Sequence, residues 1–162
     1  MQGKEKRVSE RAMDLEKIIA NRFNRLLWRI SNFGERDDLA ELKISLLEWR
    51  ILAQLGKLGR MPIGKLSELS GVGPTVGSRA IKSLKNKGCV ESRKSSKDSR
   101  QQLVQLSDYG LQVHDAIAPR RQKAHQKVQA GLNPDELSTM FALCDKLERH
   151  MDKLNGNEDD GW

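Results

Sequence analysis

The stretch SGVGPTVGSR, residues 70–79, holds three glycines within seven residues and leads into a basic run. Glycines at this density fit two chemistries. One is a loop whose backbone amides cradle a phosphate. The other is a turn that opens a helix made for reading DNA. A dinucleotide fingerprint requires G-x-G-x-x-G between a strand and a helix. Gly71 and Gly73 comply, but Val76 holds the third place and the glycine has slipped to Gly77. Glu91, twenty positions after Gly71, meets the acidic criterion. The upstream segment GKLSELS has helical spacing rather than a β-branched run. No Gly-Lys-Ser/Thr follows, which excludes a P-loop.

The second chemistry accounts for more residues. Pro74 can open a helix, and Thr75, Ser78, Arg79 and Lys82 then recur on one face of it. Ile81 and Leu84 fall on the opposite side, toward a core. Arginine can bridge two acceptors of guanine, and Ser and Thr adapt to several bases. The amides of a helix N-terminus favour phosphate. The charge is local as well. Residues 71–102 carry eight basic residues (Arg79, Lys82, Lys85, Lys87, Arg93, Lys94, Lys97, Arg100) against Glu91 and Asp98. A solvated helix face explains single lysines, and Lys85 and Lys87 are assigned to it. It does not explain the concentration.

The elements that must position this face follow from pattern. From Ser9 to Asn32, Leu15, Ile18, Ile19, Phe23, Leu26, Leu27 and Ile30 form a broad apolar stripe at helical period, more than a small domain needs for itself. Residues 34–43 read as a connection. Ser45 and Glu48 fit a capping box for a helix over SLLEWRILAQLGK, ended by Gly56 and Gly59. Pro62 can open a short helix with Ile63, Leu66 and Leu69 on one side, closed by Gly71. The next runs from Pro74 to Gly88, a suitable C′ residue. CVESRK, a polar turn and RQQLVQLS read as a hairpin. Ser107 can cap a following helix, in which Pro119 predicts a kink. Asn133-Pro134-Asp-Glu136 is a strong helix start. Beyond it Leu137, Met140, Cys144, Leu147, Met151 and Leu154 alternate spacings of three and four, an a/d seam read as a helix–helix dimer contact.

Short helix, glycine turn, second helix and hairpin make a winged helix-turn-helix. The 162 residues suit one domain, and a net charge of +7 favours an acidic partner such as nucleic acid. Cys89 and Cys144 form no CxxC pair, which suits a reducing compartment. No apolar run approaches a membrane span and no signal core opens the chain, so a cytoplasmic protein is expected. His114, His125 and His150 are scattered, without an HExxH, a Cys–His cluster or a nucleophile elbow. No enzyme, cofactor or metal is expected.

The run from Ile44 to Gly110 resembles the MarR family of bacterial transcription regulators. The resemblance rests on ISLLEWRIL, IGKLSELSGV, TVGSRAIKSLKNKGCVESR and KDSRQQLVQLSDYG. The last is the most specific: the family's wing reads D-x-R, an apolar strand, then L-[ST]-x-x-G. Here these are Asp98, Arg100, Leu106, Ser107 and Gly110. GLNPDELSTMFALCDKL is similar to the family's final dimerisation helix. The resemblance implies a mainly α fold with a small β-hairpin wing, one domain over 1–162. Its DNA-binding lobe would be 44–107 and its dimerisation helices 9–35 and 108–155. It implies a homodimer on a pseudo-palindromic operator, one recognition helix in each major groove. Pro74, Thr75, Ser78, Arg79, Lys82, Arg93 and Lys97 would face DNA. Arg100 would enter the minor groove with Asp98 orienting it, although a hairpin salt bridge between the two is the simpler role. This chain departs from the family at Gly77, where an apolar residue is usual. Glycine inside a helix costs about 1 kcal/mol relative to alanine. Either the helix packs unusually close or it is looser before DNA binds.

Family members commonly bind a small molecule between dimer helices and DNA-binding lobe. The resemblance thus points to an aromatic acid or its coenzyme A thioester, with Trp28 and Trp49 as aromatic walls and Arg25, Arg29 or Arg50 as anion partners. Both tryptophans also fit plain core positions. The expected function is a repressor released by such a ligand. The alternative is a sequence-tolerant architectural DNA binder, with the same charge and no operator.

Overall fold

The computed structural model describes residues 17–31, 33, 37–94 and 102–156. The elements are α1 (Ile19–Ser31), α2 (Asp37–Glu41), α3 (Leu46–Leu58), β1 (Met61–Pro62), α4 (Ile63–Leu69), α5 (Pro74–Asn86), β2 (Val90–Lys94), β3 (Gln102–Leu106), α6 (Asp108–Gln129) and α7 (Pro134–Leu154). The chain divides into two units, one ending at Arg120 and the other beginning at Arg121.

The first unit is built around α3. Its capping box forms as the spacing predicts: the Glu48 amide donates to Ser45 Oγ at 3.2 Å, and the Ser45 amide donates to Glu48 Oε2 at 2.7 Å. Two orphan donors of the first turn are thereby satisfied. Trp49, Ile51, Leu52 and Leu55 of α3 are buried. They pack in one cluster with Leu66 of α4, Ile81 and Leu84 of α5, and Val113 and Ile117 of α6. Gly59 ends α3 with φ 74°, a conformation that favours glycine.

The sheet has three strands in the order β1-β3-β2, all antiparallel, rather than the hairpin alone. Val104 of central β3 pairs with Ser92 on one side and Met61 on the other, and is fully buried. β1 is two residues long, too short to show alternation, and its Pro62 lacks the amide of a central strand. The five-residue α2 likewise lies where a plain connection was expected.

Helix α6 is preceded by Ser107, whose hydroxyl accepts from the Gly110 amide at 2.9 Å. The expected kink at Pro119 does not interrupt the helix, which runs on to Gln129. In the second unit α7 starts with a complete capping box between Asn133 and Glu136, both contacts at 2.9 Å, and Pro134 at its first position. No residue of α7 is buried, and Phe141, Leu143, Leu147, Met151 and Leu154 are exposed. In the first unit α1 also has no buried residue; Ile19, Phe23, Leu26, Leu27 and Trp28 are exposed. Its expected beginning at Ser9 lies outside the described residues.

Candidate nucleic-acid interface

Helix α5 is amphipathic in the manner that an inserted reading helix requires. Gly77, Ile81 and Leu84, at spacings of four and three, face the core. Thr75, Ser78, Arg79 and Lys82 are exposed, as is Pro74. The first turn holds no acidic residue, and no side chain caps it. Such an end is left open to an incoming anion.

Gly77 settles which of the two readings of that departure holds. A Cβ there would stand 2.6 Å from Ser67 Cβ, and closer still to Ser67 Oγ. Ser67 is buried and its hydroxyl donates to the Ile63 carbonyl at 2.8 Å, so it cannot swing aside without losing that bond. The helices α4 and α5 thus approach with the Ser67 side chain set against the backbone of Gly77, and an apolar residue at 77 would not fit. Gly77→Ala is expected to destabilise the protein by about 1–3 kcal/mol through overpacking, less the ~1 kcal/mol of helix propensity it gains. Ser67→Gly should recover most of the loss in the double variant. Thermal melts of the four proteins check this, and additive costs would show that the two residues do not meet.

The far end of α5 is held by Lys87. Its ammonium contacts Glu48 Oε1 at 2.7 Å and Oε2 at 2.8 Å, and donates to the Lys43 carbonyl at 2.6 Å. Lys87 therefore does not belong to the solvated face. It turns inward because Glu48, 4% exposed, needs a counter-charge there. Burial pushes the Glu48 carboxyl up. The bonds from Lys87, the Ser45 amide, Ser83 and the Ser45 hydroxyl together outweigh burial and hold it below the ordinary carboxylate value. Lys43 itself sits at φ 53°.

Arg93, on β2, is exposed and lies 3.2 Å from Glu91 Oε1, which also accepts from Gln105 Nε2 at 2.6 Å across the strand pair. Lys97, Asp98 and Arg100 lie outside the described residues. Cys89 is buried in the core, where burial pushes its thiol up, Lys87 opposes the rise and Glu48 adds to it. A protonated, enclosed thiol is a poor nucleophile. The two tryptophans differ. Trp49 is 7% exposed and stacks on His114 with ring centroids 5.7 Å apart. Trp28 is 68% exposed. Among the described residues no group of His, Cys, Asp and Glu could hold a metal ion, and no helix is long and apolar enough to cross a membrane.

Residues 44–101, which hold α3 to β2 and so the whole of α5, match the model of the MarR family. An uncharacterised HTH-type transcriptional regulator of Bacillus subtilis, YwaE, is 28% identical over 146 residues, covering 90% of this chain and 85% of the relative. A MarR family transcriptional regulator from Silicibacter pomeroyi has the same fold, with a TM-score of 0.69 and 27% identity over 82% of this chain and 89% of that one. Over residues 44–101 the chain matches the MarR pattern. The protein is a DNA-binding transcriptional regulator, not an enzyme. The fold is shared further with BpsR of Bordetella bronchiseptica, at 18% identity and a TM-score of 0.66 over 80% of this chain and 98% of that one. DNA binding by BpsR is regulated by 6-hydroxynicotinic acid.

Proposed function

We propose that this protein is a cytoplasmic homodimeric repressor of the MarR family that binds a pseudo-palindromic operator and is released by a small aromatic acid or its coenzyme A thioester. The observation that carries the reading is α5: an acid-free first turn with Thr75, Ser78, Arg79 and Lys82 exposed on one side and the core on the other. In this reading residues 44–107 are the DNA-binding lobe. Residues 9–35 and 108–155 supply the dimer helices. Exposed apolar side chains on both α1 and α7 support that assignment, because isolated helices do not keep such stripes in water without a covering surface. The seam Leu137, Met140, Cys144, Leu147, Met151 and Leu154 lies along α7 with none of its members buried in the single chain. For the ligand, the regulation of BpsR by an aromatic acid is the supporting parallel. Trp49 is already stacked on His114, so of the two tryptophans only Trp28 presents its ring to solvent.

Selection of bound sites from random duplex DNA at near-physiological salt tests the proposal. An enriched inverted repeat, with half-sites about one helical turn apart, is the expected result. Retention of DNA with no motif and a steep salt slope would instead identify an architectural binder. On the selected operator, Arg79→Ala is expected to weaken binding by about 1–3 kcal/mol and to relax one position. Lys82→Ala should weaken all sequences alike and flatten the salt slope. Identical base preferences in the wild type and the Arg79 variant, measured by competition, would remove Arg79 from the reading face.

A further inference from the structure

Val76 is the exception on the reading helix. It is 47% exposed, apolar, and flanked by Thr75, Ser78 and Arg79. A lone exposed apolar side chain needs no explanation on an ordinary surface. Its position here does. Counting from the N-cap Gly73, Val76 is the third residue of the helix, where a glutamate or another acid would suit the helix dipole and the cap. Valine instead loses side-chain freedom in a helix and gains no cover in the monomer. Local preference is thus broken at a solvent-facing site, which is where function is expected to override it. The next residue, Gly77, seats this turn directly against Ser67, which holds in place the backbone that carries Val76. The exposed apolar residues of α1 and α7 lie on the proposed dimer helices; Val76 lies on the face proposed for DNA.

On the proposed reading of α5 as the DNA-reading helix, we infer that Val76 recognises the C5-methyl group of a thymine in the major groove. Thymine is the one unmodified base that presents an apolar group there, and the remaining features of the groove edge are donors and acceptors suited to Thr, Ser and Arg. Val76 thereby sets a thymine requirement at one position of each half-site, beside the polar contacts of its neighbours. A methyl buried between a base and an isopropyl group leaves water on both sides of the contact, which is the source of the preference.

The test uses the full-length protein and the operator recovered by selection. Each thymine is replaced singly by deoxyuridine, which removes the methyl and nothing else. Binding of the wild type is expected to fall about fourfold at one position per half-site, and roughly fifteenfold when both half-sites are changed together. Val76→Ala, an exposed change that leaves the core untouched, should bind thymine and uracil at that position within about twofold of each other while keeping the rest of the motif. Wild-type binding that ignores uracil at every position, or an alanine variant that keeps the full discrimination, overturns the role of Val76 and leaves DNA reading by α5 standing. If selection enriches no motif at all, the reading helix itself fails, and the thymine contact with it.

Discussion

Gly110→Ala is expected to lower stability by about 3 kcal/mol, at the upper end of what overpacking does. The clash is with backbone, which distinguishes it from the other glycine positions. A Cβ at residue 110 would lie 2.7 Å from the carbonyl carbon of Cys89 and closer to its oxygen. That oxygen is already the acceptor for the Ser107 amide at 3.1 Å, and the Cys89 amide donates to the Leu84 carbonyl at 2.9 Å. Ser107 adds a hydrogen bond from its hydroxyl to the Gly88 carbonyl. The end of α5, the entry to β2 and the first turn of α6 are thus tied through the two peptide groups that flank Cys89, and none can retreat alone. Gly64→Ala is the internal control. It also lies in a helix, a Cβ there meets nothing within 4 Å, and the substitution should stabilise by up to ~1 kcal/mol. Urea denaturation of the three proteins at one concentration checks both signs. A Gly110→Ala midpoint as high as that of Gly64→Ala would mean that α6 does not rest on Cys89 as described.

The same residues show how far the chain could be read in advance. Ser45–Glu48, read as a capping box, and Asn133, read as a helix cap, are local devices, and both form where the sequence placed them, the second as a complete box with Glu136. Ser107 and Gly110 were visible as a family signature, L-[ST]-x-x-G, but the signature alone does not give its cause. The structure supplies one: a hydroxyl that caps α6, and a glycine that lets α6 touch the Cys89 backbone. Gly77 was legible only as a question, since close packing and looseness leave the same letter. The partner that decides it, Ser67, is a polar residue of a different helix, and no periodicity announces such a contact. Lys87 was misplaced for the same reason. Its mate Glu48 stands 39 positions away, and a lysine at a helix end reads as solvated until that carboxylate is brought under it. β1 was missed because two residues, one of them proline, carry no alternation. For Thr75, Ser78, Arg79 and Lys82 helical phase sufficed to place them on the exposed side of α5, because that placement needs no distant partner within the chain. For Trp28 and Trp49 composition could not separate an exposed ring from a core one; the second packs in the apolar cluster and on a histidine face.

The second large effect is expected at the Glu48–Lys87 pair. Lys87→Met removes the ammonium and leaves Glu48, 4% exposed, with its remaining hydrogen bonds only. Stranding a buried charge typically costs 3–5 kcal/mol, and the 32% exposure of the Lys87 side chain places this case near 3 kcal/mol. Glu48→Gln in the Lys87→Met background should recover much of it, because the stranded charge is gone and the amide can still meet the Ser45 amide. The pH dependence identifies the cause. In the wild type the Glu48 carboxyl titrates below its ordinary value, so its ionised form adds stability that is fully present above the unfolded-state value of about 4.3. That contribution is lost as the pH falls through the lower, folded value. Without Lys87, burial, the largest influence on this carboxyl, acts with its main opponent removed. The variant is then relieved by protonation just where the wild type begins to weaken. The stability gap between the two should therefore be widest near neutrality and narrow as the pH drops below about 5. Because Lys87 caps α5, the helix proposed to read DNA, operator affinity should on that reading fall in the same variant and return with Glu48→Gln. A gap that stays constant from pH 7 to pH 4 would mean that Lys87 holds α5 through its contact with the Lys43 carbonyl and its aliphatic stem, with the charge of Glu48 playing no part.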